Sequence, residues 1–334
     1  MDPILQNVSR REFLAGSAAI GIASGLTAKT CQAEEPQKAQ IAITFDLEMS
    51  RHYPQRGMTN WDYEKGNLDE ATKRYAVEAA KIVRDRGGVI HFFCVGRVLE
   101  QPDVEWLREL SEAGHPIGNH TYDHVNVLAN SPTETQFRFQ RSPWLVAGKT
   151  AAEVIRENIR LTDVALQQRA KITSNGFRTP GGFSNGLADR QDIQEMLLEL
   201  GFKWVSSKYP AHKSGEPKQD PTPDVYADIV RAQADAQPFH YPSGLVEIPM
   251  SPISDVSAFR TNFWKLDYFL KATQMSITWA IEHAAVFDFL CHPSCLVVED
   301  KHFAIVKQIC DLVEQAKDRA EIVSLDKIAH RVPR

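Results

Sequence analysis

Residues 114–124 read Gly-His-Pro-Ile-Gly-Asn-His-Thr-Tyr-Asp-His. Gly114 stops an amphipathic helical pattern over residues 103–113, and Ile117 opens a short apolar stretch that runs into two histidines four residues apart. If the backbone turns helically after Asn119, His120 and His124 project from one face and can share a divalent cation. Such a site needs a third ligand and an open position for water. The stretch Ile-Thr-Phe-Asp-Leu-Glu at residues 43–48 offers one, because an apolar run there ends in two acids. Taken alone, a His-x-x-x-His pair can equally decorate a helix, so its meaning rests on what surrounds it.

Outward from this stretch, short apolar runs alternate with helical patterns. Strands are expected at residues 41–45, 89–95, 202–205, 245–249, 285–290 and 322–323, with a short strand starting at Ile117 and a strand end at Gly176-Phe177. Helices are expected at 68–86, 103–113, 151–169, 189–200, 264–283 and 303–315, several of them closed by glycine. Repeated βα units imply a parallel sheet, and roughly seven of them favour a closed or nearly closed barrel over an open sheet. Residues 207–244, rich in Pro, Lys, Asp and Gln, read as a surface excursion within the domain.

The amino terminus carries Ser9-Arg10-Arg11-Glu12-Phe13-Leu14, a twin-arginine pattern, followed by a weakly apolar stretch to Leu26 and a small-residue exit at Cys31-Gln32-Ala33. Residues 1–33 are therefore expected to be an export signal, and residues 34–334 the folded domain, working in the periplasm or outside the cell. The apolar stretch is shorter than the ~20 residues a spanning helix needs, so no stable membrane insertion is expected after the signal is removed. About 300 residues remain, enough for one large α/β domain. A net charge of −5 gives no support for a nucleic-acid partner. Cys94, Cys291, Cys295 and Cys310 lack Cys-x-x-Cys spacing and read as buried thiols.

In a barrel of this kind, active residues gather at the carboxyl ends of strands. Asp46 and Glu48 follow the first strand, His120 and His124 a middle one, Arg178 follows Gly176-Phe177, and His292 follows the apolar run 287–290. Acids, imidazoles and a guanidinium thus arrive independently at several strand ends.

These stretches resemble the polysaccharide deacetylase family, the NodB-homology carbohydrate esterases. Thr44-Phe45-Asp46 looks like the family's first motif, residues 114–124 its second, Phe177-Arg178-Thr179-Pro180-Gly181-Gly182 its third, and Phe289-Leu290-Cys291-His292 its last. Phe92-Phe93-Cys94-Val95-Gly96 is similar to its second strand. The resemblance runs from about residue 40 to the end. It implies a distorted (β/α)7-type barrel and metal-dependent removal of N-acetyl groups from amino sugars. It further implies Asp46 as general base, Arg178 as partner of that base, His120 and His124 as metal ligands, and His292 as general acid.

One position departs from the pattern. The family usually has a second aspartate directly after the first, which binds the metal; here that position is Leu47. Side chains alternate along a strand, so Glu48 points to the same side as Asp46 and reaches one methylene further. Glu48 is then a substitute ligand in a His-His-carboxylate site for a divalent ion, zinc foremost. Two other readings stay open: Asp46 itself touches the metal, or the site works without one. Tyr122, Pro180 and Trp61 are expected on the substrate side, the aromatics by stacking on sugar rings and Pro180 chiefly by shaping the loop that aims Arg178. The expected partner is a glycan such as peptidoglycan or a chitin-like polymer. The alternatives are an amidohydrolase acting on a small non-sugar amide, and a catalytically silent glycan-binding protein.

Overall fold

The computed structural model describes residues 37–49 and 64–333. The expected export signal and Trp61 lie outside the described residues. Nine strands form one sheet among those described: β1 (Ala39–Leu47), β2 (Ile90–Cys94), β3 (Ile117–Asn119), β4 (Phe177–Phe183), β5 (Trp204–Lys208), β6 (Phe239–His240), β7 (Val246–Glu247), β8 (Val286–Cys291) and β9 (Ala320–Ile322). Their order is β6-β7-β5-β4-β3-β2-β1-β8, with β9 also pairing with β1. Every pairing is parallel except β6 with β7.

β1 is buried along all nine residues, which is why its sequence is nearly continuous in apolar character. The pleat still sorts its side chains. Ile41, Ile43, Phe45 and Leu47 join the large core under the helices, while Thr44 and Asp46 are buried on the other face. In β8, Phe287, Phe289 and Cys291 join the same helix-side core, and Asp288 takes the opposite face. These two strands lie side by side, with Thr44 opposite Leu290 and Phe45 opposite Cys291. Parity therefore delivers polar groups from several strands to the concave side of the curled sheet.

The sheet curls as a distorted barrel. Among the described residues no ladder joins β8 to β6, and side-chain-assisted bonds bridge them instead. Gln237 accepts from Val286 N–H at 2.9 Å and donates to Val286 O at 3.1 Å. Ser251 N–H donates to Asp288 O at 3.0 Å, and its hydroxyl accepts from Asp288 N–H at 2.9 Å. Edge groups of β8 are thus satisfied without a regular strand.

Three expectations need correction. Residues 120–127 form no helix; the chain after β3 is a loop with Thr121 at φ 57° and His124 at φ 60°. Arg178 does not follow a strand end but is the second residue of β4, and the irregularity comes after it, where the pairing shifts between Arg178 and Phe183. Residues 207–244 are not wholly a surface excursion. They carry the helix Pro223–Ala232, whose Val225, Tyr226 and Ile229 are buried in the main core. A Pro- and Lys-rich segment hid the helix because its flanks dominate the composition.

Candidate active site

The end of β1 sets the centre of the site. Asp46 is the last but one residue of the strand, paired in register with Phe93, and Glu48 comes directly after the strand. Alternation places both carboxylates on the face opposite Leu47, which is fully buried among apolar side chains. Burial of Asp46 at 4% and Glu48 at 8% exposure means that each must find partners in the protein.

The β3 loop brings the histidines. Asn119 stiffens it: its side chain accepts from Thr121 N–H and donates to Ile159 O and to Asp163, each at 2.8 Å. The left-handed turns at Thr121 and His124 then fold the two imidazoles together, with ring centroids 5.1 Å apart. His120 Nδ1 donates to Arg178 O at 2.9 Å, which leaves Nε2 facing the carboxylates. From Glu48 Oε1, His124 Nε2 lies at 2.9 Å, His120 Nε2 at 3.1 Å and His292 Nε2 at 3.5 Å. Asp46 Oδ2 stands farther off, 3.7 Å from His120 Nε2 and 4.0 Å from His292 Nε2.

Glu48, His120 and His124 are a group able to hold one metal ion. Two imidazole nitrogens and one carboxylate oxygen are the donor set of a catalytic zinc site, with further positions left for water and substrate. Burial of the carboxylate raises the pKa of Glu48, but His124, Lys65, His292 and His120 around it outweigh burial and hold it well below the usual range. Burial lowers the pKa of His124 to about 4, against the pull of Glu48. An ionised carboxylate beside a neutral imidazole is the state that ligation requires.

A second polar group underlies the first. Arg178 is 1% exposed, with its guanidinium carbon 4.4 Å from the centroid of the Phe93 ring. Nη1 donates to Thr44 Oγ1 at 2.7 Å and Asp46 Oδ1 at 3.2 Å, and Nη2 donates to Asp288 Oδ2 at 2.5 Å. Ser206 Oγ accepts from Nε at 3.3 Å and from Nη2 at 3.1 Å. Thr44 in turn donates to Asp288 Oδ1 at 2.7 Å. Burial raises the Asp288 pKa to about 6, with Arg178 and Thr44 acting the other way. One guanidinium thus links two buried acids on neighbouring strands and aims the one that faces the histidines. Gly176 permits this placement: at φ +82° a Cβ would fall 1.9 Å from Trp204 Cζ2, so only glycine lets β4 run past Trp204 to Arg178.

His292 follows β8 and is clamped by Asp255, a residue the sequence reading missed. Asp255 Oδ2 accepts from His292 N–H at 2.8 Å, and Oδ1 accepts from Nδ1 at 2.9 Å. This leaves Nε2 directed towards Asp46 and Glu48. Burial lowers the His292 pKa, yet Asp255 and Glu48 overcome it and carry the net shift well above the ordinary value of 6.5. Asp255 lies in a short stretch after Pro252-Ile253-Ser254 that matches no motif, so nothing local marks it. Asp288 could have been found: a lone acid inside the apolar run Val286–Cys291 is a buried carboxylate in need of a cation.

The structure thus brings Asp46, Glu48, His120, His124, Arg178 and His292 into one site. Tyr122 donates its hydroxyl to Glu100 at 2.9 Å, and its ring packs so closely on Gly96 that a Cβ there would lie 2.4 Å from it. Pro180 is buried in the irregular part of β4. His115 is structural, accepting from Ile90 N–H through Nδ1 at 3.0 Å. The four cysteines among the described residues are buried and free.

Solved structures with the same fold include two candidate polysaccharide deacetylases. One, from Mycobacterium smegmatis, is 14% identical with a TM-score of 0.57, covering 89% of this chain and 91% of that one. The other, from Pseudomonas aeruginosa PAO1, is 11% identical with a TM-score of 0.54, covering 87% and 89%. Puue allantoinase is similar too, at 14% identity and a TM-score of 0.50, covering 88% and 90%. At these identities the likeness concerns the fold alone. No curated protein matches the sequence. The family model for polysaccharide deacetylases matches residues 33–202, half of the chain, including Asp46, Glu48, His120, His124 and Arg178. The chain belongs to the polysaccharide deacetylase family, a class of hydrolases acting on carbon–nitrogen amide bonds.

Proposed function

We propose that this chain is an exported, metal-dependent hydrolase that removes N-acetyl groups from amino sugars of an envelope glycan. The observation that carries this reading is the adjacency of three functions in one buried cluster. These are a His-His-carboxylate ligand group, a carboxylate held by a guanidinium, and an imidazole clamped in its charged form. Glu48, His120 and His124 are the ligands, and zinc is the ion that best suits their donors. When bound, such an ion polarises the acetyl carbonyl and lowers the pKa of water beside it.

The protein's own groups supply the proton traffic. Asp46, braced by Arg178, takes the proton from the attacking water. His292 holds a proton on Nε2, facing the same region, and delivers it to the leaving amine. Base and acid therefore have separate supports, Arg178 for one and Asp255 for the other, while the two lie 4.0 Å apart. Arg178 and Asp288 also fix where Asp46 points. Tyr122, Pro180 and Trp61 belong to the substrate side of this reading, and the twin-arginine pattern at Arg10-Arg11 supports export towards an acetylated glycan.

The test is acetate release from acetylated peptidoglycan, chitin oligomers and poly-N-acetylglucosamine, using protein stripped by a chelator and then reloaded with zinc. Activity should vanish on stripping and return on reloading, and Glu48→Gln should bind zinc poorly and stay inactive. Full activity in stripped protein would overturn the metal-dependent reading in favour of a metal-free amidohydrolase.

A further inference from the structure

Lys65 belongs to no motif of the family pattern described above, yet its ammonium lies inside the ligand group. Nζ donates to Glu48 Oε2 in a short contact and stands 3.4 Å from His124 Nε2. Two of the three candidate ligands are therefore already in touch with a cation. The lysine side chain is 3% exposed, unusual for a residue type that almost always keeps its head in water.

The backbone that carries it is built for this position. Gly66 N–H donates to Glu48 O at 2.6 Å, and Asn67 N–H donates to Glu64 O at 3.0 Å, closing a turn against the end of β1. Gly66 has φ +91°, and a Cβ on it would fall 2.3 Å from Arg97 Cβ, so the turn admits only glycine there. Lys65 is thus held at Glu48 by the main chain as well as by charge.

A divalent ion on Glu48, His120 and His124 and an ammonium on the same carboxylate would repel one another: Lys65 holds Oε2 while Oε1 faces both imidazoles, and its Nζ lies 3.4 Å from His124 Nε2. The geometry points to Lys65 as a resident cation that competes with the metal for Glu48. The ligand group is open to metal only in those molecules whose ammonium has swung off the carboxylate, and the apparent affinity falls by that fraction. On loading, the flexible lysine stem turns away while the turn at Glu64–Asn67 stays in place. This inference rests on the proposed ligand set of Glu48, His120 and His124.

The experiment titrates metal-stripped full-length protein with Co2+ and Zn2+, following the cobalt absorption bands and competition with a chelator. Lys65→Met keeps the stem and removes the charge, and should bind both ions at least ~10-fold more tightly than the parent. Equal or weaker binding by Lys65→Met overturns the inference while leaving the ligand set standing. No binding by either protein overturns the ligand set and the inference together. A second measurement uses only the parent protein, so it holds even if the variant does not fold. Amine-reactive labelling read by peptide mass should show Lys65 protected in stripped protein and several-fold more reactive at saturating Zn2+, whereas unchanged labelling overturns the displacement.

Discussion

His292 and Asp46 illustrate how two ionisable residues are braced by separate partners within 4.0 Å of each other. Asp255 gives both carboxylate oxygens to His292, one to the backbone N–H and one to Nδ1, so the imidazole can neither turn nor lose its proton without losing a buried ion pair. The folded-state pKa of His292 is raised, so folding favours the protonated form. Its contribution to stability is complete below the ordinary value of 6.5 and is lost as pH rises through the raised value. If His292 is the acid, the alkaline limb of the kcat/KM profile reports that raised value. Asp255→Asn should move the limb down by about one pH unit or more, and a limb that stays put would assign it to another group. Asp46→Asn should cost at least ~100-fold in turnover, the usual scale for a positioned proton acceptor, with the metal content nearly unchanged. Parallel loss of metal and turnover, read by metal analysis beside the assay, would make Asp46 a ligand instead.

At the scale of the element, the alternation along β1 explains both what the chain kept and what it changed. Thr44 and Asp46 share the face that bears Arg178, and Glu48 continues that parity beyond the strand end, whereas Leu47 is packed into the helix-side core. A carboxylate at position 47 would match the family's usual pair of acids, but in this chain it would be sealed in apolar surroundings. Leu47→Asp should therefore destabilise the protein by several kcal/mol, on the order of 3, and should not rescue metal binding in a Glu48→Gln background. Chemical denaturation and metal titration of the single and double variants check both halves. The loop after β3 carries the same lesson in another form. Two residues at positive φ do what one helical turn was expected to do, with Asn119 tying the strand end to the helix Ala151–Ala165.

For the whole molecule, the β8 edge of the curled sheet is bridged by Gln237 and Ser251 rather than by a strand ladder. Ser251 meets Asp288 on the strand that leads to His292, and the segment after Ser251 leads to Asp255, so this bridge also joins the two segments that carry the His292–Asp255 pair. The proposed export belongs to this scale as well, since the twin-arginine route carries folded proteins. Replacing both Arg10 and Arg11 with lysine should leave the chain in the cytoplasm, as cell fractionation would reveal; normal export of that variant would show the twin-arginine reading to be wrong. Among the described residues no helix is long and apolar enough to cross a membrane.

The alternation of apolar runs and helical patterns determined the parallel α/β class and the βα order, because burial on both faces of a parallel strand writes itself into local composition. The residues at strand ends, Asp46, Glu48, His120, His124 and His292, were legible for the same reason, since polar groups stand out where an apolar run stops. Arg178 was legible too, though it is the second residue of its strand and does not follow a strand end. What only the tertiary structure decided was partnership across distance. Asp255 is 37 residues from His292, Asp288 is 110 residues from Arg178, and Lys65 is 17 residues from Glu48 and 59 from His124. Charge pairing acts through space and leaves no periodic trace along the chain, so these residues become visible only when sheet order and pleat parity bring them face to face.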